Sequence, residues 1–197
     1  MRKIISSIML AALLTTAAVA SPRVKRCERC EAIVAIAATS CKNASKKVDH
    51  RPLLNKLIEI EVRAGVPDEY RGAVLAAACR ESGFRANPRK GDRGRAVGLL
   101  QMWPWWERSF KIKRTDPLAS ARAWTAQIMK SVRKARRRCG RKMAFRAAWA
   151  WVASGPKGWR CRSPRHYSLL RRWKRRARWY RPVPPTYDVG VPRMRLK

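Results

Sequence analysis

The chain has few carboxylates: 12 Asp and Glu stand against 47 Lys and Arg in 197 residues, a net charge of +35. Such a field attracts polyanions, whether nucleic acid, anionic wall polymer or acidic lipid. It also confines any two-carboxylate chemistry to a short list of residues, among them Asp92, Glu107 and Asp116. Histidine is scarcer still, with only His50 and His166. There is a single Cys-x-x-Cys, from Cys27 to Cys30, with no second one to complete a zinc site and no histidine at ligand spacing. No metal and no cofactor is therefore expected. No internal repeat is present, and beyond residue 20 no run is apolar enough to span a bilayer.

Residues 1–20 read as an export signal. Arg2 and Lys3 form the charged start, Ile4 to Leu14 the apolar stretch and Ala18-Val19-Ala20 the cleavage site, so that the mature chain begins at Ser21. All six cysteines follow, and an even count in an exported chain favours disulfides. If Glu31 to Thr39 is helical, Cys30 and Cys41 are about 16 Å apart at 1.5 Å per residue, too far to bridge. Cys41 then needs another partner, and Cys79 is a candidate. The expected location is periplasmic or extracellular, where nucleic acid is a less accessible partner than the cell envelope.

Hydrophobic spacing predicts a mainly α protein, with one cored domain and extensions. Ile33, Val34, Ile36 and Ala37 predict a largely buried helix. Leu53, Leu54, Leu57, Ile58 and Val62 predict a second, opened by Pro52 and closed by Gly65. Pro67-Asp68-Glu69 reads as the start of a third helix that runs through Val74, Leu75 and Ala76 to Gly83. Asn87 to Gly98, with Pro88, Gly91 and Gly94, predicts an irregular loop or short hairpin. Asp116-Pro117 opens a helix carrying Leu118, Ala121, Trp124, Ile128 and Val132; Phe145, Ala148, Trp149 and Val152 carry the next, ended by residues 155–158. His166, Leu170, Trp173 and Ala177 share one face of a last, basic helix, and residues 182–197 read as extended or disordered.

One carboxylate has an unusual position. Val74, Ala78 and Glu81 fall at i, i+4 and i+7, so Glu81 continues a buried stripe. Ala77, Ala78, Phe84 and Trp103 would supply an apolar setting that favours a protonated carboxyl group, while Arg80 and Arg85 would oppose it. A protonated carboxyl group near neutral pH is what glycosidic bond cleavage needs.

Glu81-Ser82-Gly83-Phe84 with Asn87-Pro88, followed by Gly98-Leu99-Leu100-Gln101 with Pro104, resembles the lytic transglycosylase family, whose soluble-type domain is lysozyme-like and related to goose-type lysozyme. The match runs from about Leu53 to Cys161. It implies a lysozyme-like fold with a Gly/Pro-rich loop or short hairpin after the catalytic helix. The segments are then a signal peptide (1–20), a Cys-containing helical extension (21–51), the transglycosylase domain (52–161) and a basic extension (162–197). By this resemblance Glu81 is the catalytic acid, Ser82 orients it or the sugar, and Gly98, Gln101, Met102 and Trp103 line the substrate groove. The family's third motif, usually Ala-Tyr-Asn-x-Gly, is matched only loosely by Ala150 to Gly155 and lacks the Asn; Trp151 and Ser154 would bind substrate there. Cys139 and Cys161 flank that segment, and a bridge between them would staple the helix to its loop.

The family's reaction needs one carboxylate. It cleaves the β-1,4 bond between N-acetylmuramic acid and N-acetylglucosamine in peptidoglycan and leaves a 1,6-anhydro sugar. If Asp92 supplies a second carboxylate and positions a water, the outcome is hydrolysis, as in a lysozyme. A noncatalytic cationic wall-binding protein is the alternative from another class. Nine tryptophans exceed what a small core needs. Trp103, Trp105, Trp106 and Trp151 are candidates for stacking on sugar faces, whereas Trp124 and Trp149 sit on helical stripes and read as core. The run Arg171-Arg172-Trp173-Lys174-Arg175-Arg176 reads first as a solvated face with weak general affinity. Beyond that it reads as a hold on anionic wall polymers or lipopolysaccharide, as a phosphate binder with Trp stacking, or as a membrane-active amphipathic helix. No specific nucleic acid is expected, and the chain is expected to act as a monomer.

Overall fold

The computed structural model describes residue 27, residues 29–154 and residues 160–180. The export segment with its cleavage point, the breaker at 155–158 and the tail at 182–197 lie outside the described residues. What is described is mainly helical, with seven α-helices: α1 (Cys30–Ser40), α2 (Arg51–Arg63), α3 (Ala73–Ser82), α4 (Trp105–Phe110), α5 (Pro117–Cys139), α6 (Ala144–Ser154) and α7 (Tyr167–Ala177).

Most of these form where the apolar spacing puts them. In α5 the Asp116 carboxylate accepts the N–H groups of Leu118 and Ala119 at 2.8 and 3.0 Å, which satisfies two donors that a helix start leaves open. Arg136, Arg137 and Arg138 crowd its last turn, where the helix dipole favours cations. The long α5 packs along α6, and Trp124 meets Trp149 edge-on at 6.2 Å. Ile33 and Ala37 of α1 and Leu170 and Trp173 of α7 join the same buried cluster as α3. The segments on either side of 52–161 thus each place a helix in the common core.

The start of α3 differs from expectation. Pro67-Asp68-Glu69 opens only a 3-10 turn over Asp68–Tyr70, and α3 begins at Ala73, after Gly72 in a left-handed conformation. The reason lies in α2. Glu61 is 0% exposed, and its carboxylate reaches across to accept the N–H groups of Gly72 and, at 2.7 Å, Val74. A carboxylate at a helix N-terminus is favoured by both the open N–H groups and the dipole. Burial works against its charge and raises its pKa to about 7, while the bonds from Val74 and Gly72 pull the other way.

The other end of α3 is set by Gly83. Its φ of +60 ends the helix, and a Cβ there would lie 1.9 Å from the Asn43 carbonyl oxygen. Disulfides join Cys41 to Cys79, tying α1 to α3, and Cys139 to Cys161, tying α5 to the approach to α7. The third joins Cys27 to Cys30, so the two sulfurs of the Cys-x-x-Cys are bonded to each other. Three disulfides fit an oxidising, exported environment. Among the described residues no helix is long and apolar enough to cross a membrane.

Between α3 and α4 the chain makes two small antiparallel bridges, Gly91 with Ala96 and Val97 with Met102. The short α4, which the apolar spacing did not predict, starts after Pro104 and stacks Trp106 between Trp105 and Phe110.

Candidate active site

Because α3 stops at Gly83, its last turn reaches past the core, and the Glu81 side chain is 36% exposed. The stripe through Val74 and Ala78 is fully buried, but Glu81 is where it opens. The carboxylate lies in a cleft of about 850 Å³. Asp92, Gln101, Met102 and Trp103 come from the loop on one side, and Ser154 and His166 from the other. Glu81 has no arginine partner among the described residues. Its Oε1 instead lies 2.9 Å from Nε2 of His166, just before α7.

The loop wall is tightly tied. Gln101 Oε1 accepts the Gly91 N–H at 2.9 Å while its Nε2 donates to the Gly98 carbonyl at 3.1 Å, so one side chain clips both turns. Arg114 adds a second clip, donating from Nη1 to the carbonyls of Arg95 and Met102 at 2.7 and 2.8 Å. Gln101 and Asp92 both have a φ of +47, a conformation that side chains other than glycine adopt only when their surroundings enforce it. Trp103 remains 41% exposed, its Nε1–H donating to Asp92 Oδ2 at 3.1 Å and its ring centre 5.9 Å from the Arg95 guanidinium carbon. An exposed indole with a fixed orientation is a ready surface for a sugar face.

Several expected site residues do other work. Ser82 is buried, and its hydroxyl donates to the Ala78 carbonyl at 2.9 Å; one residue further round the helix than Glu81, it faces the core and not the cleft. Gly98 does not line the cleft either. A Cβ there would come within 2.0 Å of the Arg114 carbonyl oxygen, so its role is a close backbone approach. Trp151 is buried, donates from Nε1 to the Arg160 carbonyl at 3.1 Å and leaves the cleft wall to Val152, Ala153 and Ser154. Phe84 turns away from Glu81 towards His50, with ring centres 5.5 Å apart. Trp106 touches the cleft but is buried, and Trp105 is 36% exposed. Ser154 lines the cleft and accepts from Arg162 Nη2 at 3.4 Å.

The three candidate second carboxylates separate cleanly. Glu107 is ion-paired with Arg114 at 3.1 Å, and Asp116 caps α5. Only Asp92 of the three shares the cleft with Glu81, and it is bonded to Trp103.

No family model, curated protein or solved structure matches the chain.

Sequence reasoning missed three residues at or behind this site: His166, Arg114 and Glu61. His166 was readable as one more member of an apolar helix face, but its contact spans 85 positions and left no local trace. Glu61 continues the Leu54 and Leu57 row at helical spacing, which was the available signal for its burial.

Proposed function

We propose that this chain is a lysozyme-like lytic transglycosylase of peptidoglycan in which Glu81 acts as both acid and base. The observation that carries the reading is convergence. Glu81 of the first motif that resembles that family, and Leu100 and Gln101 of the second, line one cleft with the carboxylate open to it. The loop held by the Gln101 and Arg114 side chains supports a wall built for recognition.

In this reading Glu81 donates its proton to the glycosidic oxygen as the bond from the muramoyl C1 breaks. The substrate's own acetamido oxygen holds C1 meanwhile. The Glu81 carboxylate then takes the proton of the 6-hydroxyl as that oxygen bonds to C1, giving the 1,6-anhydro product and restoring the acid. Trp103 provides a stacking face for the strand. The exposed Arg171, Arg172, Arg175 and Arg176 of α7 hold the protein on anionic envelope polymers through charge.

Mass spectrometry of fragments released from purified sacculi by wild type and Glu81→Gln tests the reading. Anhydro ends that require Glu81 are expected. Reducing ends would assign hydrolysis with Asp92 as second carboxylate, and release of nothing that depends on Glu81 would leave a wall-binding protein. Sacculus retention should fall steeply with added salt; equal binding to random DNA without wall affinity would refute the role given to α7.

A further inference from the structure

His166 is 6% exposed at the entry to α7, and its ring lies nearly parallel to the fully buried Trp149, with centres 6.1 Å apart. Its two nitrogens have opposite surroundings. Nε2 meets Glu81 Oε1 at 2.9 Å, whereas Nδ1 is buried with no hydrogen-bond partner among the described residues. A hydrogen on Nδ1 would be a buried donor with nothing to receive it, which is costlier than a bare lone pair in the same place. The ring hydrogen therefore belongs on Nε2, which makes His166 the donor and Oε1 the acceptor.

That direction has a consequence for the carboxyl group. With Oε1 facing a donor hydrogen, a proton on Glu81 goes to Oε2. A glutamate side chain at a helix end, one-third exposed, otherwise turns freely among rotamers and presents either oxygen. Held by a ring that is itself clamped on Trp149, it presents one.

We infer that His166 is a positioning residue for Glu81: its Nε2–H holds Oε1 and so reserves Oε2 as the oxygen that gives up the proton and takes it back. The inference rests on the proposed acid and base role of Glu81. The proton leaves Oε2 for the glycosidic oxygen, which keeps the electron pair of the broken bond to C1. The 6-hydroxyl proton returns to Oε2 as that oxygen bonds to C1. The imidazole keeps its hydrogen throughout.

Two measurements on the full chain test this. Nitrogen-15 spectra of the imidazoles are expected to show a hydrogen on Nε2 of His166, and its signals should move in Glu81→Gln. Kinetics on purified glycan strands are expected to show His166→Phe, which keeps a flat ring on Trp149, losing about 100-fold in kcat with KM within about three-fold, the scale of a misplaced catalytic group. His166→Gln, whose amide can still donate to Oε1, should return to within about ten-fold of wild type, a rescue that a purely structural role would not give. A hydrogen on Nδ1 with none on Nε2 overturns the inference even if either variant folds poorly. Wild-type kcat in folded His166→Phe overturns it while leaving Glu81-dependent cleavage intact. A wild-type chain that cleaves no glycan overturns the proposed function, and the role given to His166 with it.

Discussion

Two glutamates sit at opposite ends of α3 and do opposite things. Glu61 reaches in from α2 to the first N–H groups of the helix, fully buried, and burial raises its pKa to about 7. Glu81 leaves the last turn into an open cleft and meets a histidine. The property that singled out Glu81 in the sequence, a carboxylate on a greasy helical stripe, describes Glu61 better. Burial of a carboxylate marks a structural joint as readily as a reacting group, and the surrounding donors tell the two apart. Glu61 is fully buried and accepts the backbone N–H groups of Gly72 and Val74, while Glu81 lines an open cleft.

The contrast is broken most forcefully by removing one function at a time. Glu81→Gln should lower glycan-strand cleavage by about 100- to 10,000-fold, the usual reach of general acid–base catalysis, with the thermal midpoint unchanged. Glu61→Ala should do the reverse. It orphans the Gly72 and Val74 N–H groups and opens a hole in the core, costing about 3 kcal/mol in urea unfolding while the folded fraction keeps its turnover. Loss of stability in the first variant, or of turnover in the second, would erase the distinction.

A finer test uses pH. The folded pKa of Glu61 lies above its ordinary value of 4.5, so the native state binds the extra proton between the two values. Its contribution to stability is full below about pH 4.5 and is lost as pH rises through about 7. Wild type should therefore lose stability relative to Glu61→Gln across that window, measured by urea unfolding at both ends. A flat difference would mean that the carboxylate is not held in a dry site. The smallest effect concerns the cleft wall: Asp92→Asn keeps an acceptor for the Trp103 indole, so kcat should change by less than about ten-fold if Glu81 works alone, well short of the roughly 100-fold that a second acid or base contributes at least.

The helices were legible because their apolar rows are long and regular. Leu54, Leu57 and Ile58 in α2, Trp124 and Ile128 in α5, and Leu170, Trp173 and Ala177 in α7 are all buried where their spacing places them. Cys41 with Cys79 could be anticipated because helix length kept Cys41 from Cys30. The cleft was legible in part, at Glu81, Asp92, Gln101, Met102, Trp103 and Ser154. What local pattern could not carry was the choice between neighbours separated by one step round a helix: Ser82 and Trp151 face inward where Glu81 and Val152 to Ser154 face the cleft. Nor could it carry contacts made across the fold, such as Glu61 overriding the Pro67 start signal or His166 arriving from far along the chain.

The imidazole beside the carboxylate comes from the segment after Cys161, at the entry to α7. A polypeptide trimmed after that cysteine would retain every recognisable motif, yet it would lack Leu170 and Trp173 from its interior and the ring beside Glu81. On the proposed function, competence to cut requires that the segment after Cys161 has docked.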